Sequence, residues 1–486
     1  MVVPLGMTSP GLQLRMIAGV LGLLLVAWAA ARPGPALIAL VVFLPFQVHA
    51  LAALHRLGVP AEALRSAGFA KEGLVAGIVV AALRHAVARG QRLDGVDRVA
   101  LAFSALVLVY LLIPLLAEPV VGVIFDAAPR GWYPQALAVR SNLGPVLVLL
   151  AVRSLALPDA WRRRIVGVVI AVAVVTALGG IIEFFFNDLW QRFEGEVLRF
   201  GAYHDAVGLE TPPAAVESVI LGRSFKRAGS FLSQLTLGFF LLSGMCLQLV
   251  RTSQGLSPRR MFVVSAIVLG GLVTLTRSAV LSLMIAAVVT AWLSRSSGPS
   301  QRSRLLAMSV VILAISIAAA NETGLTGRTL AAVRGDDPSA TGHVDRSSEA
   351  LRLALAHPLG QGLGVQSGVA ARTGGEQVPA ENAYLQLAHE LGLVGSLLFV
   401  WMLWRLILSL SRRRDEPLAA GSAGALAGAV VGGLFLHVWT DLPTSWTLML
   451  VAGLALPRAT PDAITIGKRG PLRVGTRQDV PAGAVR

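Results

Sequence analysis

Arg277 stands between two apolar runs, in Thr274-Leu275-Thr276-Arg277-Ser278-Ala279, with no acidic residue near it in sequence. A cation at membrane depth is expensive and asks for an anion. Arg227, in Lys226-Arg227-Ala228-Gly229-Ser230-Phe231, opens another apolar run, and Arg140, in Val139-Arg140-Ser141, sits near the start of a third. Two guanidinium groups at span ends on one side can clamp a diphosphate bidentately, where a lysine supplies only a point charge. The competing reading is an arginine that reaches to lipid headgroups. For Arg140 that reading stands level with the first, and Glu183, before Phe184, Phe185 and Phe186, reads as an interface residue.

The elements that must hold these residues are membrane spans. Of 486 residues, 55% are hydrophobic and 14% charged, and the apolar residues come in long unbroken runs. A run of about 20 such residues crosses the hydrocarbon layer as a helix, because every backbone donor and acceptor is then paired within the segment. Spans are expected at 14–31, 36–54, 73–88, 98–117, 136–156, 165–186, 230–250, 260–276, 278–294, 304–320, 388–410, 418–438 and 444–457. The fold class is therefore an all-α polytopic membrane protein of about 12–13 transmembrane helices, with one membrane domain over 14–457 and a disordered tail at 458–486.

The net charge of +15 does not point to nucleic acid. The arginines fall in short clusters between apolar runs (Arg84 to Arg98, Arg153 to Arg164, Arg251 to Arg260, Arg295 to Arg304, Arg405 to Arg414) rather than on one amphipathic face. The positive-inside rule puts those ends in the cytoplasm and the segments 118–135, 187–229 and 321–387 outside, in the periplasm of a bacterium. Thirteen spans with a cytoplasmic tail leave two alternatives, an external amino terminus or one miscounted early or late span, and the charges around the first three spans decide little. Residues 16–31 read as a retained span rather than a cleaved signal peptide. Cys246 lies inside a span, so no disulfide forms within the chain. Gly424, Gly428 and Gly432 make two overlapping GxxxG spacings, for which internal packing is favoured over a dimer interface.

The external loop 321–387 is too long for a plain connection. It contains an amphipathic stretch, Ser347–Ala356, with Leu351, Leu353 and Leu355 interleaved with Glu349 and Arg352, and His357-Pro358 and a turn with Gly360, Gly362 and Gly364 follow. A surface helix stopped by Pro358 fits. The loop closes on Pro379-Ala380-Glu381-Asn382-Ala383-Tyr384, which leads through His389 into the next span.

These motifs together resemble the O-antigen ligase and Wzy-type polysaccharide polymerase superfamily. Its members carry, where the large periplasmic loop ends, a His followed by Asn, Ser or Gln, nine residues, Gly, two residues and Gly. Asn382, nine residues, Gly392 and Gly395 match that spacing, whereas Glu381 stands where the His would be. Arg227 with Gly229, Phe231 and Gly238, the Thr274-to-Ala279 element, and Asp345-Arg346 followed by His357-Pro358-Leu359-Gly360-Gln361-Gly362 match in the same order. The resemblance spans about 220–400.

It implies a metal-independent glycosyltransferase of the GT-C kind, without a cofactor, acting on undecaprenyl-diphosphate-linked glycan in the periplasm. The acceptor would be a glycan, lipid or protein. Arg277, Arg227 and Arg346, with Arg140 as a weaker fourth, would hold the diphosphate, and Glu381 would stand as base, with His357 and His389 as fallbacks. Asn382, Tyr384, Gly392 and Gly395 would form the loop motif. Glu381 in place of His tilts the reading from ligase toward polymerase. A transporter or flippase of lipid-linked glycan is the alternative, and would explain buried arginines. It would not need a long external loop, and its usual internal symmetry is not visible here.

Overall fold

The computed structural model describes residues 10–116, 132–207, 217–220, 223–226, 231–253, 255, 257–294, 303, 307, 338–365 and 381–458. Arg227, nearly all of the expected span 304–320 and the tail beyond 458 lie outside the described residues.

The chain is an all-α polytopic membrane protein. Its apolar helices are α1 (Pro10–Ala31), α2 (Pro33–Arg56), α4 (Ala70–Ala88), α5 (Gly95–Leu116), α6 (Trp132–Leu155), α7 (Asp159–Phe185), α10 (Gln234–Ser253), α11 (Pro258–Val273), α12 (Arg277–Leu293), α14 (Ala383–Arg412), α15 (Pro417–Gly432) and α16 (Leu442–Ala455). Among the described residues, seven segments are long and apolar enough to cross a membrane, one of them (Ala61–Ala88) running into α4 from the short helix before it, and Met16–Ala31, α12, α15 and α16 are shorter apolar helices. Prolines open α2, α11 and α15 in their first turn, where a missing N–H costs nothing. Short helices α3 (Ala61–Ala67), α8 (Asn187–Arg192) and α9 (Phe200–Val207) and one hairpin, β1 (Glu217–Ile220) with antiparallel β2 (Arg223–Lys226), lie between spans. Helix α13 (Pro338–Ala356) is the helix expected in the long loop, begun earlier than its leucines suggested.

The helix ends sort into two groups. At the arginine-rich end, buried Arg153 of α6 binds Asp97 (2.7 Å) and Asp94 (2.5 Å) beside the start of α5, and donates to the Leu456 carbonyl beyond α16. Arg458 adds two bonds to Asp97. Arg162 of α7 reaches the Leu454 carbonyl, and Trp161 packs on Gly34 at the start of α2. At the opposite end, the loop end, the Ala383 amide donates to the Gly433 carbonyl, Thr236 to Asp441, and Tyr110 to the Leu359 carbonyl. The starts of α10, α14 and α16 and the ends of α5 and α15 therefore meet there. Helix α1 runs parallel to α4, with Gly22 beside Gly73 and Ala29 beside Gly77. It starts at the loop end, where α4 also starts.

Lipid removes the hydrophobic drive between helices, so close approach of small residues has to hold the bundle. The GxxxG face of α15 does this within the chain: a Cβ on Gly424 would meet Thr290 Oγ1 at 1.9 Å, and one on Gly428 would meet the Ser282 carbonyl at 2.5 Å. Helices α12 and α15 are thereby locked antiparallel, with Gly432 against Ser282, which sets the start of α12 and Arg277 at the loop end.

Candidate functional site

The loop end is built around a break in α14. Gly392 has φ 72° and ψ 174°, backbone that only glycine adopts readily, so Ala383–Leu391 and the remainder of α14 are two helical pieces. Into the break fits the turn that follows α13. The Leu393 amide donates to the Pro358 carbonyl (2.9 Å) and the Gln361 amide to the His389 carbonyl (2.6 Å). Gly360 (φ 78°) comes so close that a Cβ there would lie 2.5 Å from the Gly392 nitrogen. The two glycine motifs, far apart in sequence, are one backbone joint.

That joint brings α13 against the first piece of α14. Arg346 of α13 forms an ion pair with Glu381, just before α14. His389, buried, donates from Nε2 to the Ala350 carbonyl at 2.7 Å. Ala350 and Ala354 form the packed face of α13, while Leu351 and Leu355 are exposed; of the expected leucine stripe only Leu353 turns partly inward. His357 is exposed, its Nδ1 at 3.2 Å from the Leu353 carbonyl.

The other motif residues carry structure. Asn382 is the N-cap of α14, accepting from the Tyr384 and Leu385 amides and donating to the Leu434 carbonyl. Tyr384 donates to the Val430 carbonyl at 2.7 Å. Gly395 lets Leu106 approach at the second piece of the helix.

Arg277 is half-buried at the first turn of α12. The elbow before it is tight: Leu275 has φ 53°, uncommon for a residue with a side chain, and Thr274 donates to the Gly271 carbonyl at 2.7 Å. A cation at a helix N-terminus opposes the macrodipole, so this arginine is not there for the helix; an anion docked here would meet both the guanidinium and the dipole.

Arg140 is elsewhere at the same end. With Lys71 it shares the carboxylate of Glu72, each nitrogen 3.5 Å from Oε1, and it lines a cavity of about 920 Å³ between α2, α4, α6, α10 and the first piece of α14. Gln386 and Glu390 line it too, and Asn142 donates to Glu390 at 2.7 Å. Arg277, Arg346, Glu381, His357 and His389 do not line it. The structure thus joins Arg346 to Glu381 and His389 to α13, and sets Arg140 in a separate chamber. Sequence reasoning passed over Lys71, Glu72, Asn142, Gln386 and Glu390. The signal for two of them was present: Gln386, His389 and Glu390 fall at helical spacing in an apolar segment.

Residues 261–400 match the family model described as O-antigen ligase. The matched residues are similar to an O-antigen ligase domain. The matched stretch runs from α11 through the Arg277 elbow and α13 to the second piece of α14, so it contains the Gly360–Gly392 joint and the Arg346–Glu381 pair. No curated protein matches the chain.

Proposed function

We propose that this chain is a membrane glycosyltransferase that takes a glycan from undecaprenyl diphosphate at the periplasmic face of a bacterial inner membrane and joins it to an acceptor hydroxyl. The arginine-rich end faces the cytoplasm by the positive-inside rule, which turns the loop end outward. The observation that carries the reading is the Arg346–Glu381 pair, closed by the glycine joint inside the family-matched stretch.

The acceptor oxygen attacks the anomeric carbon while its proton passes to the Glu381 carboxylate. The bond from that carbon to the diphosphate oxygen breaks, and its electron pair leaves with the diphosphate. Arg346 and Arg277, with Arg227 as the third cation expected from sequence, stabilise the growing charge, a role that otherwise falls to a metal ion. Diphosphate draws Arg346 away from Glu381, so the base is released as the donor docks. His389 is spent on the Ala350 carbonyl and reads as a positioning residue. Glu381 at the position of the ligase-type His favours a polymerase of exopolysaccharide or O-antigen over a ligase.

The test is transfer from purified lipid-linked oligosaccharide by protein reconstituted in liposomes. Glu381→Gln is expected to lose transfer on the order of a hundredfold or more while still binding the donor. Preserved transfer would remove Glu381 as the base.

A further inference from the structure

The chain turns sharply where α7 ends. Arg162, near the start of α7, lies at the arginine-rich end, so the last residues of that helix reach the loop end; at Phe186 (φ −124°, ψ 46°) its helical course breaks before α8. Helix α8 and the π turn Phe193–Val197 that follows it sort their side chains into rows four residues apart. Trp190 and Glu194 face the bundle: the Trp190 ring lies 5.5 Å from that of Phe231, and a Glu194 carboxylate oxygen lies 3.0 Å from His49 Nε2 on α2. Asp188, Arg192 and Glu196 form an exposed charged row. Between these two rows runs an apolar one, Leu189, Phe193 and Val197, exposed by 65%, 38% and 56%. The π turn, wider than an α turn, keeps Phe193 and Val197 in line.

A bare apolar row of this size marks a surface that meets something other than water. The lipid-facing side of α7 runs straight into it, since Ile182, Phe185 and Phe186 are also exposed and lead up to Leu189 at spacings of three to four residues. A segment with one row on the bundle, one apolar and one charged has the three neighbours found at a membrane interface: protein, acyl chains, and headgroups with their water. We propose that residues 182–197 lie in the outer leaflet at the boundary of headgroups and acyl chains, with Leu189, Phe193 and Val197 dipping into the chains and Asp188, Arg192 and Glu196 among the headgroups. Phospholipid is the partner because the row continues the lipid-facing surface of α7. The charged row holds two acids and one base, so apolar burial seats the segment and anionic lipid is not required. Phe231 also lines the large cavity, and the inward row thereby ties the level of the leaflet to the cavity wall. This placement holds whether or not the chain transfers glycan.

Full-length protein in nanodiscs of neutral phosphatidylcholine tests it, with a spin label on one introduced cysteine at a time; native Cys246 is fully buried and stays unlabelled. In Phe193→Cys, and independently in Leu189→Cys and Val197→Cys, relaxation by oxygen relative to relaxation by a water-soluble nickel chelate should be about fivefold higher than in Asp188→Cys and Glu196→Cys, the contrast expected between acyl depth and water. These positions are exposed, so each variant should melt in detergent as wild type does. Replacing half of the phosphatidylcholine with phosphatidylglycerol should leave the ratios unchanged. Relaxation dominated by the chelate in both rows would put the segment in water and overturn the proposal. So would apolar-row labels that neither relaxant reaches, or spin–spin broadening between copies, because protein would then cover the row. A ratio that rises only with the anionic lipid would equally overturn seating by apolar burial.

Discussion

Glu381 was readable from the sequence as a departure from a motif, and Arg346 as part of another, but their pairing was not. They lie thirty-five positions apart and meet only because two glycines let the backbones dock. The same limit hid Glu72 and Arg140, which share an ion pair across sixty-eight positions. Asn382 was read only as part of the motif spacing; an Asn ahead of an apolar helical run is also a cap signal, and in the fold it caps α14. Residue chemistry also sets one pH dependence. Burial alone would raise the Asp94 carboxyl, but the hydrogen bond and charge of Arg153 outweigh it and hold Asp94 below its ordinary 3.8. A carboxyl depressed on folding adds stability above its ordinary value and gives it up as pH falls through the depressed one. The melting temperature in detergent should therefore fall as pH drops below 3.8, and Asp94→Asn should flatten part of that fall. An equal slope in both proteins would show that the pair contributes nothing.

At the scale of elements, the spans were visible because lipid demands long apolar helices and tolerates little else. Their ends were less so. The expected span 388–410 is only the inner part of α14, which begins at Ala383 and breaks at Gly392. Hydropathy does not register a break in a continuous apolar run, and the glycine motif carried that information in a form only the fold could decode. The joint is also the place where a small change should do most. Gly392→Ala must place a Cβ 2.6 Å from the Pro358 carbonyl oxygen, in a backbone region costing about 1–3 kcal/mol for other residues. Thermal unfolding should show a loss of at least about 2 kcal/mol, and transfer should fall with it because α13 no longer presents Arg346. A variant with wild-type melting and wild-type transfer would mean that the joint does not position the site.

For the whole molecule, the two ends do different work. The arginine-rich end is clamped by Arg153, Arg458, Asp94 and Asp97, and breaking such a buried pair typically costs about 3–5 kcal/mol. The loop end holds instead the tight Arg277 elbow and a large cavity, features that cost stability and are retained where ligands bind. Charge clusters in the sequence mark the arginine-rich ends, but the cavity is lined from many separate chain segments, and no single run of residues announces it. The measurement that bears most directly on the account is the product pattern when the reconstituted protein is given lipid-linked oligosaccharide alone, in the presence of a chelator. The account predicts a ladder of longer lipid-linked glycans and free undecaprenyl diphosphate in matching amounts. Unchanged oligosaccharide merely moved across the bilayer would contradict it.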